Sequence, residues 1–400
     1  MDVEIIRQDF PLLQKRKLIY FDNACTTLKP KQVIDAILAY YSDYTGCAGR
    51  SIHKLATETT EQFEKSREKV AKFVNARKNE EIVWTKNTTE AINIVAHGFK
   101  FERGDKVVTT NLEHTSGMLP WMIKKQSGKI DLDFVLSNQD GTFNIEDFKE
   151  KIDSKTKLVS IVFVSNVTAT RAPLKEIIEI AHDRNALVLA DAAQAAPHMH
   201  IDVRELNVDF MGVSGHKMCG PTGIGFLYGK MDLLKELSPL VVGGETIKDA
   251  DLGSFVFEEI PYRLEPGIQH YAGAIGFGAA VDYLSKIGMK NIESHEKELS
   301  KILVEGLLSV PNLTLIGPKD WNIRGALAAF VLEGMNPHDI AIMLDEHNIC
   351  VRSGMHCAYP FHKFVKRPKG SARASLYFYN TKEEIKIFLE KLNNIAKTFG

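Results

Sequence analysis

Residues 186–229 read ALVLADAAQAAPHMHIDVRELNVDFMGVSGHKMCGPTGIGFLYG. Two apolar runs in it, ALVLA (186–190) and DFMGV (209–213), stop abruptly on polar residues, Asp191-Ala-Ala-Gln194 and Ser214-Gly-His-Lys217. A short run that is apolar throughout reads as a strand buried on both faces. A third such run, IGFLY (224–228), follows Gly220-Pro-Thr-Gly223-Ile-Gly225. That glycine-rich segment lacks the Lys-Ser/Thr ending of a P-loop and leads into a strand, so it reads as a tight turn carrying the chain away from Lys217.

The same pattern extends upstream. Strand-like runs lie at 81–85, 106–110, 132–136 and 158–164, and helical patterns near 88–100, 145–153 and 173–184 separate many of them. Residues 31–44 and 57–75 read as amphipathic helices. This alternation predicts an α/β fold, a mostly parallel seven-stranded sheet flanked by helices. A long helical region from about 271 to 308 follows, and beyond it short strands and helices that read as a smaller α+β domain. The expected division is a large domain over 20–285 and a small one built from 1–19 and 286–400.

In open sheets of this kind ligands bind beyond the carboxyl ends of the parallel strands. The residues expected there are Thr88 and Thr89, His114, Asn166, Asp191 with Gln194, and Ser214, His216 and Lys217. Singly, each has a plain structural reading: the threonines and Asp191 as helix caps, the histidines as backbone-bonded, Lys217 as a solvated lysine. Together they fit one ligand. A lysine can form a Schiff base with an aldehyde. A carboxylate can keep a pyridine nitrogen protonated. Hydroxyls and a helix start can hold a phosphate, and an imidazole can stack on a flat ring. Lys217, Asp191, then Thr88, Thr89, Ser214 and His216, and finally His114 match the needs of pyridoxal 5′-phosphate in that order.

Composition bounds the alternatives. The 400 residues are 44% hydrophobic and 25% charged, an ordinary soluble balance. The formal net charge of -1 supplies no field for nucleic acid or anionic membrane. No apolar run is long enough to span a bilayer, and MDVEIIRQDFPLL does not read as a signal peptide. A cytoplasmic location is expected. The five cysteines, Cys25, Cys47, Cys219, Cys350 and Cys357, show no metal-site or redox-pair spacing, and no metal site is expected. Cys357 lies in the polar, aperiodic stretch RSGMHCA (352–358), which favours a loop; Cys350, in the apolar run before it, reads as structural. Cys219 is a second candidate thiol, ranked below Cys357.

These motifs resemble those of fold-type I, class V enzymes that use pyridoxal phosphate. The segments YFDNACTTLKP (20–30), SNVTATRAP (165–173), SGHKMCGPTGIGFLYG (214–229), RSGMHCA (352–358) and RASLYFYNT (373–381) resemble the group II, SufS-type cysteine desulfurases. The resemblance implies that Lys217 carries the cofactor, Asp191 meets its ring nitrogen, Gln194 its ring hydroxyl, and His114 stacks on the ring. It implies that Thr88, Thr89, Ser214 and His216 hold the phosphate. Arg373, helped by Asn166, would bind the carboxylate of L-cysteine, and Cys357 would take its sulfur as a persulfide. It also implies a homodimer that delivers sulfur to an acceptor protein or an iron–sulfur scaffold. The family's Gly-Thr-Pro-Asn segment appears here as Gly267-Ile268-Gln269-His270, without the hydroxyl that reaches the phosphate from the partner subunit. Selenocysteine lyase, another class V activity such as aminotransferase or epimerase, and a catalytically silent scaffold relative are the alternatives.

Overall fold

The computed structural model describes residues 1–399. Seven strands form the main sheet: β1 (Ile82–Thr85), β2 (Lys106–Thr110), β3 (Asp131–Val135), β4 (Thr156–Val162), β5 (Leu187–Asp191), β6 (Phe210–Ser214) and β7 (Gly225–Gly229). Their order is β1-β7-β6-β5-β4-β2-β3. All neighbouring pairs are parallel except the two made by β7. The turn after Lys217 explains that exception: a short connection can only return the chain antiparallel.

Both faces of the sheet are buried, as the uniformly apolar strands require. On β5, Val188 and Ala190 join one hydrophobic cluster while Leu189 joins the cluster on the opposite face. The expected sheet is therefore present, with an added helix, Thr115–Gln126, that the sequence pattern did not predict.

A second sheet contains β8 (Leu313–Ile316), β9 (Leu327–Leu332), β10 (Arg352–Gly354) and β11 (Ser371–Ser375), in the order β8-β9-β11-β10, all antiparallel. Helices Met289–Leu308 and Lys382–Phe399 cover it, burying Leu299, Leu303, Phe388 and Leu392 against Phe330. The helical region expected as one run from 271 to 308 is two helices, Tyr271–Ile287 and Met289–Leu308. They part at Gly288, whose φ of 88° a side-chain-bearing residue rarely adopts. The N-terminal segment touches both cores. Phe10 packs against Tyr283, Phe378 and Tyr379, and Ile19–Tyr20 pairs in parallel with Ile349–Cys350. Among the described residues no helix is long and apolar enough to cross a membrane.

Candidate active site

The parallel strands end on one edge of the main sheet, and a cavity of about 200 Å³ opens there. Each residue expected from the sequence lines it: Thr88, Thr89, His114, Asn166, Asp191, Gln194, Ser214, His216, Lys217, Cys357 and Arg373. The first nine come from strand ends or the turns and helix starts that follow them. Cys357 and Arg373 arrive from the second sheet, so the cavity lies in the seam between the two.

At one end, β1 runs into the helix Thr88–Gly98, whose start is capped by Asn87 accepting from the Glu90 N–H. The Ser214 hydroxyl accepts from the Thr88 N–H at 2.9 Å and is 2.8 Å from the Thr88 hydroxyl. Thr89 and Ser116 hydroxyls meet at 2.7 Å. This close approach needs Gly225: a Cβ there would sit 2.3 Å from the Val213 carbonyl oxygen and 3.1 Å from the Asn87 Cα. Hydroxyls gathered at a helix N-terminus form an anion cradle. His216 stands beside it, and burial, then Lys217 and Lys29, push its pKa down to about 4. A neutral imidazole can donate one hydrogen bond to an anion without adding charge.

In the middle, Asp191 is 5% exposed and receives one hydrogen bond, from the Ala193 N–H at 2.9 Å. Burial raises its pKa, opposed by that bond and by Lys217. A buried carboxylate short of partners is relieved by a cationic N–H. Burial likewise lowers the Lys217 pKa, with Asp191 raising it, which favours the nucleophilic free amine. The Gln194 amide gives one N–H to the Ala24 carbonyl at 2.7 Å, and its Oε1 is buried without a partner. His114 caps the helix Thr115–Gln126, its Nδ1 accepting from the Ser116 N–H. Burial, then Lys217, Arg352 and Arg373, hold its pKa down to about 4. The ring is neutral near pH 7, and acceptance at Nδ1 assigns its proton to Nε2.

At the other end, Arg373 is 2% exposed. Its Nη1 donates to the Asn166 carbonyl at 3.0 Å and its Nη2 to Asp22 Oδ1 at 3.2 Å, while Nε has no partner. Of five guanidinium N–H donors, three remain for a carboxylate. Asn166 also reaches across to the second sheet's side of the cavity: its Nδ2 donates to the His356 carbonyl at 2.7 Å, fixing the turn that bears Cys357. Its Oδ1 is buried and unpartnered. Orphaned atoms on Asn166, Gln194 and Arg373 are what a site built around a polar ligand shows.

His356 and Cys357 both have positive φ, 49° and 56°. The Cys357 carbonyl accepts from the Thr115 N–H at 2.8 Å, next to His114. His356 is buried, bonded through Nε2 to Ser371, and held well below its ordinary pKa by burial, so it is neutral. Cys219, the lower-ranked thiol, is excluded: it is fully buried outside the cavity, and burial pushes its pKa up to about 12. The sequence reading missed Cys25 and Arg352, which also line the cavity. Arg352 faces Arg373 across β10 and β11, a pairing that only strand register reveals.

The family model described as "Aminotransferase class-V" matches residues 19–388. A "Probable cysteine desulfurase" of Synechocystis sp. is 44% identical, covering 99% of this chain and 96% of its own length. The apo structure of a cysteine desulfurase from Thermococcus onnurineus NA1 superposes with a TM-score of 0.95 at 40% identity, covering 98% of each chain. The cysteine desulfurase CsdA of Escherichia coli, solved with an S-sulfonic acid, superposes with a TM-score of 0.93 at 32% identity over the whole of both chains. This chain belongs to the aminotransferase class-V family.

Proposed function

We propose that this chain is a pyridoxal-phosphate-dependent cysteine desulfurase, releasing L-alanine from L-cysteine and retaining the sulfur as a persulfide on Cys357. The observation that carries the proposal is a partly buried thiol, on a turn that follows a strand of the second sheet, brought into the same cavity as a buried lysine and a buried carboxylate. The full-length similarity to chains named cysteine desulfurase supports the same reading.

The cavity fits the cofactor. Thr88, Thr89, Ser214 and His216 would hold its phosphate, Asp191 its ring nitrogen, Gln194 its ring hydroxyl, and His114 a face of the ring. When bound, the cofactor supplies an aldehyde for the substrate amine and a ring that accepts the electron pair left at Cα. Asp191 holds the proton on the ring nitrogen. Arg373 grips the substrate carboxylate. The Lys217 amine takes the Cα proton. The Cys357 thiolate attacks the substrate sulfur: an S–S bond forms, the C–S bond breaks, and the carbon product leaves as alanine after protonation.

A cofactor-binding unit over 20–285 and a smaller unit from 1–19 and 286–400 put this chemistry in their seam. A homodimer is supported by Val241, Val242, Leu252, Phe255, Val256 and Ile268, all exposed and apolar, along 241–268. The persulfide would pass to an acceptor protein. The test is incubation of the purified holoenzyme with L-cysteine, following alanine and protein-bound persulfide by mass spectrometry. Cys357→Ala should keep the cofactor's absorbance and lose the persulfide. Undiminished sulfur release by Cys357→Ala would defeat the proposal.

A further inference from the structure

Two thiols, not one, face the cavity. Cys25 and Cys357 are both partly buried and both line it, whereas Cys47, Cys219 and Cys350 do not. Cys25 is held firmly. Asp22 bridges to Ser375, the Ala24 N–H donates to the Ser375 hydroxyl at 2.9 Å, the Cys25 N–H donates to the Asp22 carbonyl at 3.1 Å, and Gln194 bonds the Ala24 carbonyl. The Arg352 guanidinium donates to the Cys25 sulfur at 2.7 Å. A guanidinium there stabilises the sulfur whenever it carries negative charge in a reaction. The cavity that both thiols line is built for polar occupants, since Asn166 Oδ1, Gln194 Oε1, Arg373 Nε and His356 Nδ1 are all buried, unpartnered and on lining residues.

We infer that Cys25 is a second sulfur-carrying residue of this site, receiving the outer sulfur atom of a Cys357 persulfide. The inference rests on the desulfurase reading and adds a step to it. The Cys25 sulfur attacks the outer sulfur of the persulfide. A new S–S bond forms on Cys25, the S–S bond on Cys357 breaks, and Cys357 leaves as a thiolate that takes up the proton given by Cys25. One thiol and one persulfide become one persulfide and one thiol, with no outside oxidant or reductant. The persulfide extends the reach of Cys357 by about 2 Å, the length of an S–S bond. Cys357 is thereby freed to take sulfur from a second L-cysteine while the first atom stays in the cavity beside Arg352.

The experiment is a single burst of holoenzyme with L-cysteine and no acceptor thiol. Alanine is counted per subunit, and the sulfur is located by alkylation, digestion and mass spectrometry. The wild type should release about two alanines per subunit, and Cys25→Ala about one. The added sulfur should appear on the wild-type peptide containing Cys25 and vanish from it in Cys357→Ser. A wild-type burst of about one with no sulfur on that peptide overturns the inference. So does labelled Cys25 in Cys357→Ser, which would mean direct attack on substrate. A Cys25–Cys357 disulfide with released sulfide overturns it too, because the attack would then fall on the inner sulfur. Release of no alanine at all would instead sink the desulfurase reading, and this step with it.

Discussion

Arg373→Lys tests the carboxylate grip. The arginine spends two N–H groups on Asn166 and Asp22 and keeps three, including the unpartnered Nε, for the ligand. Lysine keeps the charge but presents a point donor that cannot bridge both oxygens of a carboxylate. The loss is one charge-assisted hydrogen bond in a site where Arg373 itself is 2% exposed, about 1.5–3 kcal/mol. That converts to roughly a ten- to hundred-fold fall in kcat/KM. The carboxylate is bound before, during and after bond breaking, so the fall should appear in KM with kcat nearly preserved. Steady-state alanine formation gives both constants, and product inhibition by L-alanine should weaken by the same factor. A melting curve separates this from damage to the Asp22 contact, which is partly solvated and costs little. An unchanged KM with a collapsed kcat would refute the carboxylate role.

Three further outcomes follow from the same geometry. The imidazole of His114, held down to about 4 by burial, should be neutral with its proton on Nε2 at pH 5.5 by nitrogen-15 NMR; an imidazolium signal there would contradict the assignment. Glu113 is fully buried and its pKa is pushed up to about 8 from 4.5, mainly by burial. Its folded form therefore holds a proton that the unfolded chain releases, and stability falls as pH rises from about 4.5 toward 8. Glu113→Gln can still accept from the Thr110 hydroxyl and the Val162 N–H, so its melting temperature should decline less than the wild type's between pH 6 and 8.5; equal slopes would show that Glu113 is not the source. Asn166→Ala removes the amide that holds the His356 carbonyl, a bond of about 1 kcal/mol. It should slow persulfide formation by roughly five-fold without changing cofactor absorbance, and an unaltered rate would mean the turn is fixed by other contacts.

The main sheet was legible because each buried strand is a short apolar run ending on a polar residue, as ALVLA-Asp191 and DFMGV-Ser214 do. The helix Thr115–Gln126 was not, because Gly117 and Pro120 interrupt its pattern and both are buried, one against Glu113. The break at Gly288 was hidden by apolar periodicity on both sides of it. Cys25 escaped notice for a different reason: its contact with Arg352 joins residues 327 positions apart. Local pattern cannot report a neighbour brought in by the pairing of two sheets. Asn166 was placed at the site, but its bond to His356 was not foreseen, since sequence names the donor and only the fold supplies the acceptor.

The Cys357 turn shows how the two sheets divide the work. It is carried by the second sheet but pinned to the first, through the Thr115 N–H and the Asn166 amide, with one internal bond from the Ala358 N–H to the Met355 carbonyl. Two successive left-handed residues, His356 and Cys357, cost about 1–2 kcal/mol each. Those three hydrogen bonds and the one from His356 Nε2 to Ser371 return about 1 kcal/mol apiece. The conformation is thus close to energetic balance, unlike the strand ends around Lys217 and Asp191, which the sheet fixes outright. A near-balanced turn suits a thiol that must take sulfur inside the cavity and then present it elsewhere, whether to Cys25 or to an acceptor. The reacting lysine and carboxylate have no such second task, and the fold gives them no such freedom.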